Sequence, residues 1–347
     1  MPGYSITADT RAVKAVAMGG GTGLSTLLHG LKQYVISPGE EAPPGVVRCI
    51  SDLSAIVTVS DDGGSSGRLR KELNLPAPGD IRNCIVALSE EEALLSRLFQ
   101  YRFPPGEGLG GHSFGNLFLL AMSAITKDFS QAVEASSAIL ATRGHIYPAT
   151  TSNAQLYAIM DDGSVVRGET NITASDRRIV ELKMTPANAK PLPKTLEAIA
   201  NADLITIGPG SLFTSLVPNL LVRDVSKAIA QSKAVKVFVC NLMTQANESL
   251  GLTAADHIRA LNRHAQKQIF DFALINRTPA SADLKAKYAT EGACQIVNDL
   301  EAIEALGVVP VLGDYLDEGG VARHNTSRVA HDLMQLISQR PEMERKS

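Results

Sequence analysis

Val16-Ala17-Met18-Gly19-Gly20-Gly21-Thr22-Gly23-Leu24-Ser25 carries a short apolar run into four glycines within five residues. Residues 12–18 read as a buried strand and residues 24–31 as the start of a helix, so the glycines fall where a strand hands over to a helix. Unpaired N–H groups and the positive end of the helix dipole at such a junction favour a phosphate. The missing Cβ atoms let a ligand approach the backbone closely. The competing explanation is a glycine-rich turn needed only for tight strand–helix packing.

Two common phosphate loops do not match. No lysine follows Gly23 before Lys32, which removes the Gly-Lys-Ser/Thr ending of an ATPase loop. The dinucleotide spacing Gly-x-Gly-x-x-Gly fails in both registers, because Leu24 or Thr26 stands where the third glycine belongs. An NAD-linked oxidoreductase is therefore poorly supported.

The chain has 347 residues, 44% of them hydrophobic, and a net charge of -3, enough for a large core without a global basic field. With 5% aromatics and no Trp, stacking platforms for nucleic acid are not expected. No apolar run reaches the 18 residues of a membrane span. Residues 1–11 lack the apolar core of a signal peptide and read as a short lead, and a cytoplasmic location is expected. Cys49, Cys84, Cys240 and Cys294 show no CxxC spacing and read as reduced core residues; no metal-ligand cluster is apparent.

Near-continuous apolar strands are expected at Val13–Met18, Ala55–Ser60, Leu204–Ile207, Val235–Cys240, Phe272–Ile275 and Val308–Val311. Helical patterns fill the gaps, notably Leu24–Gln33, Glu90–Tyr101, Asn116–Ile125, Phe129–Leu140, Pro218–Gln231, Ala254–Arg263 and Thr326–Gln339. This alternation predicts an α/β fold, a doubly wound and mostly parallel sheet. A helical cluster occupies about 67–143. A β-hairpin around Asp161-Asp162-Gly163 marks a small β-rich insertion at about 145–195. One domain over 12–340 is expected, with loops at Ser37–Gly45 and Phe103–Gly111 and flexible tails at 1–11 and 341–347.

Ligands of open α/β sheets bind beyond the carboxyl ends of the strands, so the loops there carry the candidates. Ser60-Asp61-Asp62-Gly63-Gly64-Ser65-Ser66-Gly67-Arg68 offers two carboxylates for a ribose hydroxyl or a water-bridged Mg²⁺, and Arg68 for a phosphate. Asp80 and Asn83 open a helical stretch, where an internal Asp80–Arg82 interaction is an equal alternative. His112, at a glycine-rich start before Asn116, can serve as general acid/base or phosphate donor, or as an ordinary structural histidine. Gly208-Pro209-Gly210-Ser211 repeats the strand–glycine–helix pattern, and a second such loop suggests a nucleotide diphosphate. Asn241, Thr244 and Gln245 follow another strand and can read a base or sugar. His29, His257, His264 and His331 fall in helices as surface or capping residues. Arg323 and His324 sit in a glycine loop before the last helix.

Taken together, Gly19–Ser25, Asp61–Arg68, Pro78–Asn83, His112–Asn116, Gly208–Ser211, Asn241–Gln245 and Arg323-His324 resemble the gluconeogenesis factor (YvcK-like) family, which belongs with the CofD-like 2-phospho-L-lactate transferases. The resemblance runs from about Ala12 to Leu336 and implies a Rossmann-like core in a cytoplasmic protein. It further implies a regulator that binds UDP-sugars such as UDP-N-acetylglucosamine and links gluconeogenic carbon use to envelope synthesis and cell shape. Tyr288 and Arg323 match the residues implicated there in nucleotide-sugar binding, the latter on the clearer motif. The transferase branch implies the alternative, in which Asp61 or Asp62 orients an acceptor alcohol with the help of Mg²⁺. A protein partner in envelope synthesis and a homodimer are compatible with the resemblance.

Overall fold

The computed structural model describes residues 12–37, 48–73, 75–90 and 94–343. The glycine run joins β1 (Val13–Gly19) to α1 (Gly21–Leu31). After β2 (Ile50–Val57) come α2 (Gly64–Leu73), α3 (Gly79–Leu88), α4 (Leu94–Gln100), α5 (Phe114–Thr126) and α6 (Phe129–Ile139), which lead to β3 (His145–Pro148). The strands β4 (Gln155–Met160), β5 (Val165–Arg167) and β6 (Ile179–Thr185) form an antiparallel sheet of their own, with α7 (Glu169–Ala174) between the last two. Through α8 (Pro193–Asn201) the chain returns to β7 (Leu204–Ile207). It continues as α9 (Val217–Leu221), α10 (Val225–Gln231), β8 (Val235–Val239), α11 (Ala254–Ala265), β9 (Phe272–Asn276), α12 (Ala282–Ala289), α13 (Leu300–Glu304) and β10 (Val309–Gly313). A hairpin of β11 (Leu316–Glu318) and β12 (Ala322–His324) precedes α14 (Thr326–Met343).

The central sheet has seven strands, in the order β10-β9-β8-β7-β1-β2-β3, and its strand pairs are parallel. Alternate residues of one strand enter different cores, as the period of two requires. Val16 and Met18 join Ile56, Ile205, Ile207 and Phe238 on one face. Ala15 and Ala17 join Ala55, Val57, Val237 and the α1 leucines Leu24, Leu27, Leu28 and Leu31 on the other. Both faces are covered, so the strands carry few polar residues. The chain winds outward from β1 in two directions, which makes the gap between β1 and β7 the topological switch point, where α/β sheets open a crevice.

The Rossmann-like α/β expectation is met, with local differences. The strand His145–Pro148 pairs in parallel with β2 at the edge of the central sheet, so the antiparallel unit begins only at Gln155. Four residues, two of them His and Tyr, carry no apolar run to announce it. The Pro218–Gln231 helix is broken by an extended Val222 and a left-handed Asp224. Cys49, Cys84 and Cys240 are buried and unpaired as expected, but Cys294 lies exposed in a loop. His257 is fully buried and stacks on Phe238, and the His264 ring accepts the Leu182 N–H; neither is a surface residue. The last helix continues to Met343, past the expected tail boundary at 341. The expected lead at 1–11, most of the 37–45 loop and residues 344–347 lie outside the described residues.

The glycine run matters through close packing. A Cβ on Gly23 would be driven into the carbonyl oxygen of Pro209, a backbone atom with little freedom to yield. Gly23→Ala is therefore expected to destabilise the protein by about 1–3 kcal/mol, as overpacking does. Gly319→Ala, whose Cβ would meet open space, is expected to stay within about 0.5 kcal/mol of the parent. Thermal melts of the two variants compare them directly, and equal melting points would contradict the packing argument.

Candidate functional site

At the switch point the glycine loop after β1 meets the Gly208–Ser211 loop after β7. Together they wall a cleft of about 680 Å³, closed on the far side by Asn241–Ala246, Tyr288 and His324. That size suits a small-molecule site. Thr22 and Gly23 line it from one loop and Pro209, Gly210 and Ser211 from the other.

Both helical starts at this cleft are already met by carboxylates of the chain itself. The Gly21 N–H, at the head of α1, is directed to the Asp80 carboxylate. Beyond the second loop, the Phe213 and Thr214 N–H groups donate to Glu248 Oε1 at 2.7 and 2.8 Å. These carboxylates satisfy donors that a helix cannot pair internally. Gly210 is fastened too: its N–H donates to Asn241 Oδ1 at 3.0 Å, and Asn241 Nδ2 returns a bond to the Gly210 carbonyl at 2.8 Å. Asn241 thus holds the loop with both ends of its amide.

Asp61 and Asp62 divide their roles. Asp61 lines the cleft and accepts the Gly63 N–H at 2.8 Å. Asp62 turns away to the antiparallel unit, where it accepts from Glu169 N at 3.0 Å, Thr170 N at 2.8 Å and Thr170 Oγ1 at 2.6 Å. It caps α7 across more than a hundred residues of chain and so points Glu169 into the cleft. A catalytic part for Asp62 is not what this geometry offers, since its oxygens are committed to the cap.

Asp61, Asp80 and Glu169 consequently share the cleft, while among the described residues no Lys or Arg lines it. Burial pushes the Glu169 carboxyl up to about 9, with the negative charges of Asp61 and Asp80 adding to the effect. Burial raises Asp80 to about 6, opposed by the Gly21 N–H. The compensating cation is Arg70, buried behind the cleft and bonded to Asn153 Oδ1 and the carbonyls of Ser60 and Ala154. Among the described residues no three His, Cys, Asp or Glu converge to hold a metal ion. Asp61 fits the role of a single carboxylate ligand to Mg²⁺, an ion that usually takes one or two carboxylates and completes its shell with phosphates and water.

The other expected contacts separate into three groups. Thr244 and Gln245 line the cleft, but the Thr244 hydroxyl is tied to the backbone of Cys294. Gln245 Nε2 donates to Ser211 Oγ at 2.9 Å, which leaves its buried Oε1 with no partner. Tyr288 lines the cleft, and its hydroxyl accepts the Ala322 N–H at 3.2 Å. Arg323 and Asn83 instead line a second cleft of about 870 Å³ on the other side of β12, which meets the first at Thr22 and His324. Alternation along a strand separates Ala322, which lines the first cleft, from Arg323, which lines the second, while His324 stands at their meeting point. His324 is held neutral, burial having pushed it down to about 4, and its Nε2 lies 2.9 Å from the Cys240 carbonyl.

Ser65, Ser66, Arg68, His112 and Asn116 line neither cleft. Ser65 Oγ lies 3.0 Å from His112 Nδ1 and accepts from Asn116 Nδ2 at 3.1 Å, and Arg68 Nη2 donates to the Gly110 carbonyl at 2.7 Å. These residues lash α2, the 110 loop and α5 together. Burial lowers the His112 imidazole, which favours its neutral form in that role. Glu169, Glu248 and Arg102 escape a reading of the sequence, and Arg82 enters it only as a possible partner of Asp80. Glu169 lies in the antiparallel unit, away from the carboxyl ends of the central strands, and Glu248 lies in a turn between β8 and α11.

The family model "2-phospho-L-lactate transferase CofD" matches residues 15–316. The gluconeogenesis factor of Halalkalibacterium halodurans is 47% identical over 322 residues, covering 92% of this chain and 95% of that protein. The gluconeogenesis factor of Bacillus subtilis is 45% identical over 327 residues, covering 94% and 98%. A Bacillus halodurans protein of known structure superposes with a TM-score of 0.87 at 46% identity, over 93% of this chain and all of that one. The parallel sheet with a glycine-walled cleft at its switch point defines a Rossmann-like class of α/β protein. Within it, the chain belongs to the gluconeogenesis factor family, a branch of the CofD family. No described helix is long and apolar enough to cross a membrane.

The raised Glu169 carboxyl has a consequence for stability. Its ordinary value is 4.5, so between about pH 4.5 and 9 the folded chain holds a proton that the unfolded chain has lost. The unfolded state binds fewer protons there, and this group makes stability fall as pH rises. Glu169→Gln is expected to melt higher than the parent at pH 8, with the difference shrinking towards pH 5. Melts across that range check the sign; a variant that melts lower at pH 8 would refute it.

Proposed function

We propose that the protein is a cytoplasmic regulator that binds a nucleotide sugar of the UDP-N-acetylglucosamine type and links gluconeogenic carbon metabolism to envelope synthesis and cell shape, through a protein partner. The observation that carries this is the meeting of two glycine loops at the switch point, at a place where one cleft rich in carboxylates abuts another rich in arginines. The diphosphate lies over Thr22 and Gly23, at the junction of the two, with Arg323 supplying the positive charge the first cleft lacks. Asp61 and the protonated Glu169 suit sugar hydroxyls, which both donate and accept. The unpaired Gln245 Oε1 and the Tyr288 ring suit the base and ribose.

Titration calorimetry with UDP-N-acetylglucosamine tests the proposal. Arg323→Ala, an exposed position, is expected to weaken binding about tenfold or more, the typical worth of a charge-assisted contact to phosphate. Absence of saturable heat, or an Arg323→Ala variant that binds as the parent does, would sink it.

The CofD family match supports a second reading, transfer of a phospholactate-like group from a nucleotide diphosphate carrier to an alcohol. Here Asp61 would orient the acceptor hydroxyl, and Mg²⁺ bound with the diphosphate would offset the charge developing on phosphate. Product formed from a guanosine-diphosphate-linked acid and a deazaflavin alcohol, and lost in Asp61→Asn, would favour it.

A further inference from the structure

The second cleft is larger than the diphosphate junction requires. It lies along the outer side of α1, between α3 and α4 on one flank and the start of α14 on the other. Arg82, Arg102 and Arg323 all line it, against Asp317 as its only lining carboxylate among the described residues. None of the three arginines has an ion pair among the described residues, in a protein whose surface arginines are otherwise often paired. Arg82 spends its terminal nitrogens on Ser113 Oγ at 2.6 Å and Asn83 Oδ1 at 2.7 Å, and its buried Nε has no partner among the described residues. Arg102 donates to the Gly111 carbonyl at 2.6 Å, which anchors it within reach of Arg82, and the two cations repel. Hydroxyls of Ser25, Thr26, Thr326 and Ser327 complete the wall.

This is the charge inverse of the neighbouring cleft, where carboxylates gather and, among the described residues, no Lys or Arg appears. Guanidinium forks match the oxygens of a phosphate, and hydroxyls that donate and accept match a polyol. The geometry points to a second ligand site in this cleft, for a phosphate monoester of a small polyol such as a sugar phosphate, gripped by Arg82 and Arg102, with Arg323 left to the diphosphate at the junction. The site goes beyond the nucleotide-sugar proposal and does not depend on it. The strand β12 belongs to both clefts, with Arg323 in one, Ala322 in the other and His324 lining both. A ligand that fixes this strand in one cleft changes what the other offers, which is the physical content of coupling between sites.

Titration of the full chain at low ionic strength with glucose 6-phosphate, inorganic phosphate and UDP tests the site. Glucose 6-phosphate is expected to bind saturably and more tightly than inorganic phosphate. Arg102→Ala is expected to weaken it about tenfold while leaving UDP within about twofold, and Arg102→Lys to recover part of the loss. Because Arg102 is exposed, circular dichroism of the variants is expected to match the parent. Saturating UDP is expected to leave the glucose 6-phosphate site available. No saturable ester binding, equal binding of ester and inorganic phosphate, an unaffected Arg102→Ala, or complete displacement by UDP would each overturn the site. Failure of UDP-N-acetylglucosamine to bind would count against the nucleotide-sugar proposal alone.

Discussion

The approach of Gly23 to the Pro209 carbonyl holds the architecture of the site together. It brings the loops after β1 and β7 into van der Waals contact across the switch point, where two windings of the sheet diverge. A side chain at Gly23 would open that contact. Asn219 reinforces it, since its side-chain amide donates to the Gly19 carbonyl at 3.2 Å and ties α9, which follows the second loop, back to the first. The cleft is defined by what these loops leave between them.

A second constraint is electrostatic. Helix starts in this region carry donors that need partners, and the chain supplies Asp80, Glu248 and Asp62 for three of them. Each carboxylate comes from an element distant in sequence, so each bond also fixes the position of a loop or helix. The accumulated negative charge is balanced from behind by the buried Arg70, while Glu169 stays protonated near neutral pH. The result is a cleft whose backbone is prearranged and whose side-chain charge is mostly already committed. Positive charge for an anionic ligand must come from the adjoining arginine cleft.

Much of the fold was legible because parallel strands covered on both faces must be apolar throughout, and six of the seven central strands announce themselves that way. The exception, His145–Pro148, is short and sits at an edge, so burial asks less of its composition. The residues walling the cleft were legible for a related reason: Gly19–Gly23, Gly208–Ser211, Asn241 and Gln245 all follow the carboxyl ends of such strands. Ser65, Arg68, His112 and Asn116 were drawn from similar polar and glycine-rich runs. Their side chains face each other and the 110 loop, a direction that no spacing in the chain encodes.

By itself, then, the sequence determined the alternation of strand and helix, the location of both glycine loops and the family to which they point, because these depend on short-range periodicity and on residues whose backbone freedom is local. Only the tertiary structure decided which polar groups are free. It committed Asp62 to a helix start, Asn241 to Gly210 and the Thr244 hydroxyl to Cys294, brought Glu169 in from the antiparallel unit, and put Arg323 on the opposite side of β12 from Tyr288. The physical reason is that a hydrogen bond or a charge pair is settled by contacts between segments tens to hundreds of residues apart, and those contacts exist only once the sheet has brought the segments together.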